Sequence, residues 1–155
     1  MDNLPINPFS NIAISLSGGG YRATAFHLGT LSYLSEVDWN GSSLLDRVRV
    51  ISTVSGGTFT GVNYSATLKK GGNIRDSYNS LYKFMSDTDL INDALECLAD
   101  DSKWKSSKQR TLINAFALIY HDKFESENFD LLWKEHPSIH LKEICFNATE
   151  FNFAL

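Results

Sequence analysis

Cysteine is scarce in this sequence, with only Cys97 and Cys145 among 155 residues. The pair matches neither a CxxC motif nor a dense disulfide framework, which excludes a disulfide-built scaffold; both are expected to be buried free thiols. Proline is nearly as rare: Pro5, Pro8 and Pro137 lie near the ends of the readable pattern, so nothing marks an internal domain boundary. No apolar run approaches the ~20 residues a membrane span requires; the longest, Ala115 to Tyr120 with Leu112 and Ile113, is far shorter. The first ten residues lack a basic stretch followed by an apolar one, so no export signal is expected, and the Asn-x-Ser/Thr triplets beginning at Asn40, Asn63 and Asn147 are read as chance. Positive charge is not in excess either. Fourteen Lys plus Arg against eighteen Asp plus Glu give a net charge of -4, which argues against a general electrostatic grip on nucleic acid. The expected setting is the reducing cytoplasm, with at most transient contact with a membrane surface.

What is present suffices for one ordinary domain. Apolar residues make up 43% and aromatics 12%, and mean hydropathy is -0.19, enough burial to offset the entropy of ordering a chain of this length. Ile12 to Ser17 is short, apolar and β-compatible, and it runs into Gly18-Gly19-Gly20, which a strand interior would not tolerate. Beyond the glycines, Ala23, Phe26, His27, Thr30, Leu31 and Leu34 recur at helical spacing. Val37 to Ser43 is polar, contains Gly41 and reads as loop. Arg47 to Val54 is a second β-rich run, stopped at Ser55-Gly56-Gly57, and Thr58 to Lys70 reads as a helix ended by Gly71-Gly72. The strand, glycine turn and helix therefore occur twice. This predicts an α/β fold with a mainly parallel sheet, because a parallel crossover needs about a dozen residues or more. Further stripes, Ile74, Tyr78, Leu81, Tyr82, Met85 and then Leu90, Ile91, Ala94, Leu95, Leu98, are expected core faces of two more helices. Thr111 to Tyr120 and Glu127 to Lys134 are helix candidates, and Ile144 to Phe146, extending toward Phe151 to Leu155, a third strand.

In open α/β sheets, ligands bind at the carboxyl ends of the strands, where both glycine turns fall. A serine at a strand-to-helix corner with glycine at the next two positions satisfies the demands of a nucleophile elbow: a turn too tight for neighbouring side chains and a hydroxyl raised above a helix N-terminus. Ser55 is the candidate nucleophile, with Gly56 and Gly57 as the elbow backbone. Gly18, Gly19 and Gly20 open a helix with unhindered amides, as a developing oxyanion requires.

Ser17-Gly18-Gly19-Gly20-Tyr21-Arg22-Ala23, followed by His27-Leu28-Gly29-Thr30-Leu31 and by Ser55-Gly56-Gly57, resembles the patatin-like and cytosolic phospholipase A2 family, to about residue 70 and more loosely over Ile144 to Glu150. The resemblance implies a three-layer α/β/α fold and a serine–aspartate pair, without histidine, metal or cofactor, that hydrolyses acyl esters of lipids. By position, Ser55 would be the nucleophile, Gly18, Gly19 and Gly20 the oxyanion hole, and Arg22 a contact for a phosphate head group or a brace for the loop. Ser17 stands where many patatins have Asp, and Thr53 replaces the first glycine of the usual elbow. The family's aspartate precedes a glycine well downstream of the serine, and this sequence contains no Asp-Gly. Residues 1–155 are accordingly expected to be either the N-terminal part of one such domain, lacking the aspartate portion, or a relative without catalysis that binds lipid or a partner.

Gly18-x-Gly20-x-x-Ala23 after a strand fits a dinucleotide fingerprint, with Glu36 or Asp38 near the acidic position, but that reading leaves Ser55 unexplained. His27 is expected in the core of the first helix. Lys103, Lys105, Lys108 and Arg110 around Trp104 read as a solvated connector, with contact to anionic lipid as the alternative. Leu112 to Tyr120 reads as ordinary core, with an interfacial or lid helix as the alternative. His121, His136 and His140 lack carboxylate or cysteine neighbours at metal-ligand spacing, so no metal site is expected.

Overall fold

The computed structural model describes residues 8–104, 109–124 and 139–148. The chain is α/β. Strand β1 (Ile12–Leu16) leads into helix α1 (Gly20–Glu36), a short hairpin of β2 (Asp38–Trp39) and β3 (Ser42–Ser43), strand β4 (Val48–Val54) and helix α2 (Gly56–Lys69). Helices α3 (Ile74–Asp87), α4 (Leu90–Ala99) and α5 (Leu112–Lys123) follow, and β5 (Glu143–Asn147) closes the described order. Strands β1, β4 and β5 form one sheet in that order, parallel throughout. The candidate helix at Glu127 to Lys134 and the strand extension at Phe151 to Leu155 lie outside the described residues.

Period-two alternation sends Ile12, Ile14 and Leu16 of β1 into the core and leaves Ala13 and Ser15 exposed. They pack with Leu31 of α1, Val48 and Ile51 of β4, and Tyr64 of α2. A register shift between Ile12 and Ala13 steps the β4 partners from Val48 to Val50 and keeps Val48 and Ile51 on the buried side. Helix α2 starts two residues earlier than the expected Thr58. It ends in a Schellman motif, with the Gly71 amide donating to Leu68 O (3.0 Å) and the Gly72 amide to Thr67 O (2.9 Å). Asn73 caps α3 through a reciprocal capping box with Asp76.

Several expectations are corrected. Val37 to Ser43 is not plain loop: Asn40 and Gly41 both take positive φ, the Asn-Gly signature of a tight hairpin turn, and pair β2 with β3. The α3 stripe is misassigned in part, since Ser77, Leu81 and Phe84 face inward while Tyr78 and Tyr82 are exposed and stack on one another. On α4 the buried residues are Ala94 and Cys97, with Ile91 and Leu95 outside, and on α5 Leu112 and Ile113 are exposed while Ala115 and Ile119 are buried. The buried faces are set by a core that α4 and α5 share, Ala94 and Cys97 of one against Ala115 and Ile119 of the other. Cys145 is only half-buried, unlike Cys97, because it lies on β5; both thiols are free. Among the described residues no helix is long and apolar enough to cross a membrane.

Candidate active site

The two glycine corners meet. Leu16 pairs with Thr53 in the β1–β4 register, and Gly18 and Ser55 each follow two residues later, so equal spacing from one paired rung sets the corners side by side. A methyl placed on Gly18 would lie 3.1 Å from Ser55 Cβ and 3.8 Å from Ser55 Oγ. Glycine is sterically required at the two positions after the serine. A side chain on Gly56 would overlap the Gly20 carbonyl and sit 2.8 Å from the Gly20 nitrogen, and one on Gly57 would run into the carbonyl of Leu16. Ser55 itself is exposed and holds φ 50, ψ -121, a backbone conformation unfavourable for a residue with a Cβ.

Ser55 is the N-cap residue of α2 and Gly19 that of α1, and neither helix has a side-chain cap or an acidic residue in its first turn. No capping side chain therefore competes for the positive dipole end at either corner, and in α2 the Thr58 amide is satisfied by Ser55 O (2.8 Å). Two threonines fix the helices to each other from below. The buried Thr24 hydroxyl reaches the Gly56 carbonyl (2.8 Å) and the Gly20 carbonyl (3.1 Å), and Thr60 Oγ1 donates to Thr24 O (3.0 Å).

Thr53, at the usual glycine position of the elbow, is 1% exposed. Its crowding is relieved from α2, where a methyl on Gly61 would lie 2.5 Å from Thr53 Cγ2. The Thr53 hydroxyl donates to Cys145 O (3.1 Å) and accepts from Thr58 Oγ1 (3.2 Å). From β5, Asn147 Nδ2 donates to Thr53 O and Ser52 Oγ, both at 2.9 Å, bracing the strand that carries Ser55. The bracing roles of Thr24, Gly61 and Asn147 have no local sequence signal beyond the Gly61 inside a helix.

His27 is buried and turns to the glycine loop rather than to Ser55. Its Nε2 lies 2.9 Å from Ser17 O and 3.3 Å from Ser17 Oγ; a carbonyl only accepts, so Nε2 carries the proton and holds the residue before Gly18. Arg22 is exposed on the first turn of α1, with no hydrogen bond to a described residue. Ser55 Oγ likewise has no hydrogen-bond partner among the described residues, so no described base contacts it.

Comparison with protein-family models, curated proteins and solved structures returns no significant match in any of the three.

The remaining candidates separate from this corner. Glu36 ends α1 and Asp38 belongs to the β2–β3 hairpin, so neither acid stands at the end of a parallel strand as a dinucleotide site needs. Arg110 is engaged internally, its Nη1 2.6 Å from Asp101 Oδ1 and its Nε donating to Leu98 O. Trp104 donates to Cys97 O, and Lys105 and Lys108 lie outside the described residues. A cavity of about 300 Å³ is lined by Asp93, Glu96, Asp100 and Asp122 and excludes the elbow. Beside the glycine loop, Tyr21 packs edge-on against Phe84. Burial first, then Tyr120 and the carboxylates of Asp93 and Asp89, pushes its phenol up to about 12.

Proposed function

We propose that this chain carries the nucleophile and oxyanion-stabilising half of a lipid acyl-ester hydrolase site on a patatin-like, three-layer α/β/α scaffold. The observation that carries the reading is the exposed Ser55 at φ 50 on a strand-to-helix corner, with Gly18 packed against its Cβ. Such a corner presents a hydroxyl to an acyl carbonyl while the first-turn amides of α1 and α2 stabilise the negative charge that develops on the carbonyl oxygen. Ser55 would attack, Gly18, Gly19 and Gly20 would supply the oxyanion donors, and Arg22 at the mouth would meet an anionic head group. Removing one such donor typically lowers the rate about a hundredfold or more.

Attack requires a base, and no described residue provides one at Ser55. The second reading is a scaffold that binds acyl lipid without turning it over. A fluorophosphonate probe tests the first: Ser55 should be labelled, Ser55→Ala should not be, and acyl-ester turnover by these 155 residues should be low. An unlabelled protein that still binds phospholipid vesicles would favour the second reading and reject the first.

A further inference from the structure

At the opposite end of the sheet from Ser55, three side chains from separate elements converge on the segment that leads into β5. Tyr64 of α2 is 1% exposed, and its hydroxyl lies 3.1 Å from His140 Nε2. The other ring nitrogen, Nδ1, lies 4.0 Å from Asp46 Oδ1, in the turn before β4. Arg49 of β4 donates through Nη1 to the carbonyls of His140 (3.0 Å) and Asp46 (3.1 Å), and its own carbonyl accepts from the Lys142 amide (2.8 Å). We infer that the Asp46–His140–Tyr64 cluster is a proton-sensitive pin that fastens β5 to the sheet while His140 is neutral and loosens it when the ring is protonated.

With the ring neutral and its proton on Nδ1 toward Asp46, Nε2 accepts from the Tyr64 phenol, which burial keeps protonated. Protonation removes that acceptor. The new Nε2–H then needs the phenol oxygen as its own acceptor, and the phenol proton loses its partner in a buried site, a loss hydrogen-bonded groups do not tolerate cheaply. The charged groups facing the ring are Asp46, Arg49 and Lys142. Asp46 favours the imidazolium, while burial, the largest influence, together with Arg49 and Lys142 opposes it and holds His140 below its ordinary value. Loosening here would propagate along β5, whose last paired residue is Asn147 opposite Val54. The inference goes beyond the hydrolase reading and stands without it.

The test follows backbone amide exchange of Glu143 to Asn147 and the His140 ring resonances from pH 7.5 to 5.5. Corrected for intrinsic rates and referenced to β1, β5 exchange should rise by about threefold or more as the ring titrates. His140→Gln, whose amide oxygen still accepts from Tyr64, should flatten that dependence. The inference is overturned by β5 protection that does not follow the His140 titration in the wild type, or by an unchanged pH response in His140→Gln. Should that variant fail to fold, Asp46→Asn decides: it should move the His140 titration and the loosening of β5 together to lower pH, and movement of one without the other refutes the pin.

Discussion

Ser55 is held where its own side chain is unwelcome. A φ of 50 costs a residue with a Cβ on the order of 1 kcal/mol or more relative to glycine, and it is sustained by the parallel register on one side and the onset of α2 on the other. Ser55→Gly should therefore raise stability by about 1 kcal/mol while abolishing probe labelling, whereas Ser55→Ala, which keeps the Cβ, should change stability by less than about 0.5 kcal/mol. Urea denaturation of the three proteins checks this; a destabilised glycine variant would mean that the strain is not borne by the backbone. Tyr21 is a second residue under tension, its buried hydroxyl atom having no hydrogen-bond partner among the described residues. Tyr21→Phe removes an unsatisfied group and should stabilise by about 1 kcal/mol in the same measurement.

The elbow strand and helix α2 depend on an exchange of bulk. Thr53 brings a β-branched side chain where a tight corner ordinarily wants none, and Gly61, in the second turn of α2, makes the space. A glycine within a helix forfeits about 1 kcal/mol of propensity relative to alanine, so its presence at 61 has a packing reason. Gly61→Ala should destabilise by about 1–2 kcal/mol, because overlap with Thr53 Cγ2 exceeds the propensity gained. Thr53→Ser deletes that methyl while keeping the hydroxyl that donates to Cys145 O. The double variant should recover the loss, and a thermodynamic cycle should return a coupling of about 1–3 kcal/mol; additive effects would disprove the exchange.

At the scale of the molecule, buried groups among the described residues, His140 on the acid side and Tyr21, Tyr64 and Tyr120 on the alkaline side, help set the pH range of greatest stability. His140 is held below its ordinary value of 6.5 by burial, so the folded state binds fewer protons than the unfolded chain as pH falls through that region, and stability declines on the acid side. Tyr21 and Tyr64 are raised above 10.0, chiefly by burial, so stability is retained up to about pH 10 and declines as pH rises further. The melting temperature should form a plateau between these limits. His140→Gln should weaken the acid-side decline and Tyr21→Phe, remote from His140, the alkaline one, each leaving the other flank in place; a melting temperature indifferent to both substitutions would show that other groups govern the pH response.

The local sequence determined the two strand–corner–helix units, because a glycine run ends a strand and a three-to-four-residue apolar spacing starts a helix through sterics confined to a few neighbours. It also singled out the serine whose two following positions have no room for a side chain. Which faces of α3 and α4 are buried was not legible: Tyr78, Tyr82, Ile91 and Leu95 border the inward stripe, and helical periodicity is silent on where a neighbouring helix will lie. The contact between Gly18 and Ser55, the accommodation of Thr53 by Gly61, and the meeting of His140 with Tyr64 and Asp46 were decided by the tertiary structure alone. Each joins elements distant in the chain, and only strand register and helix packing bring such residues together.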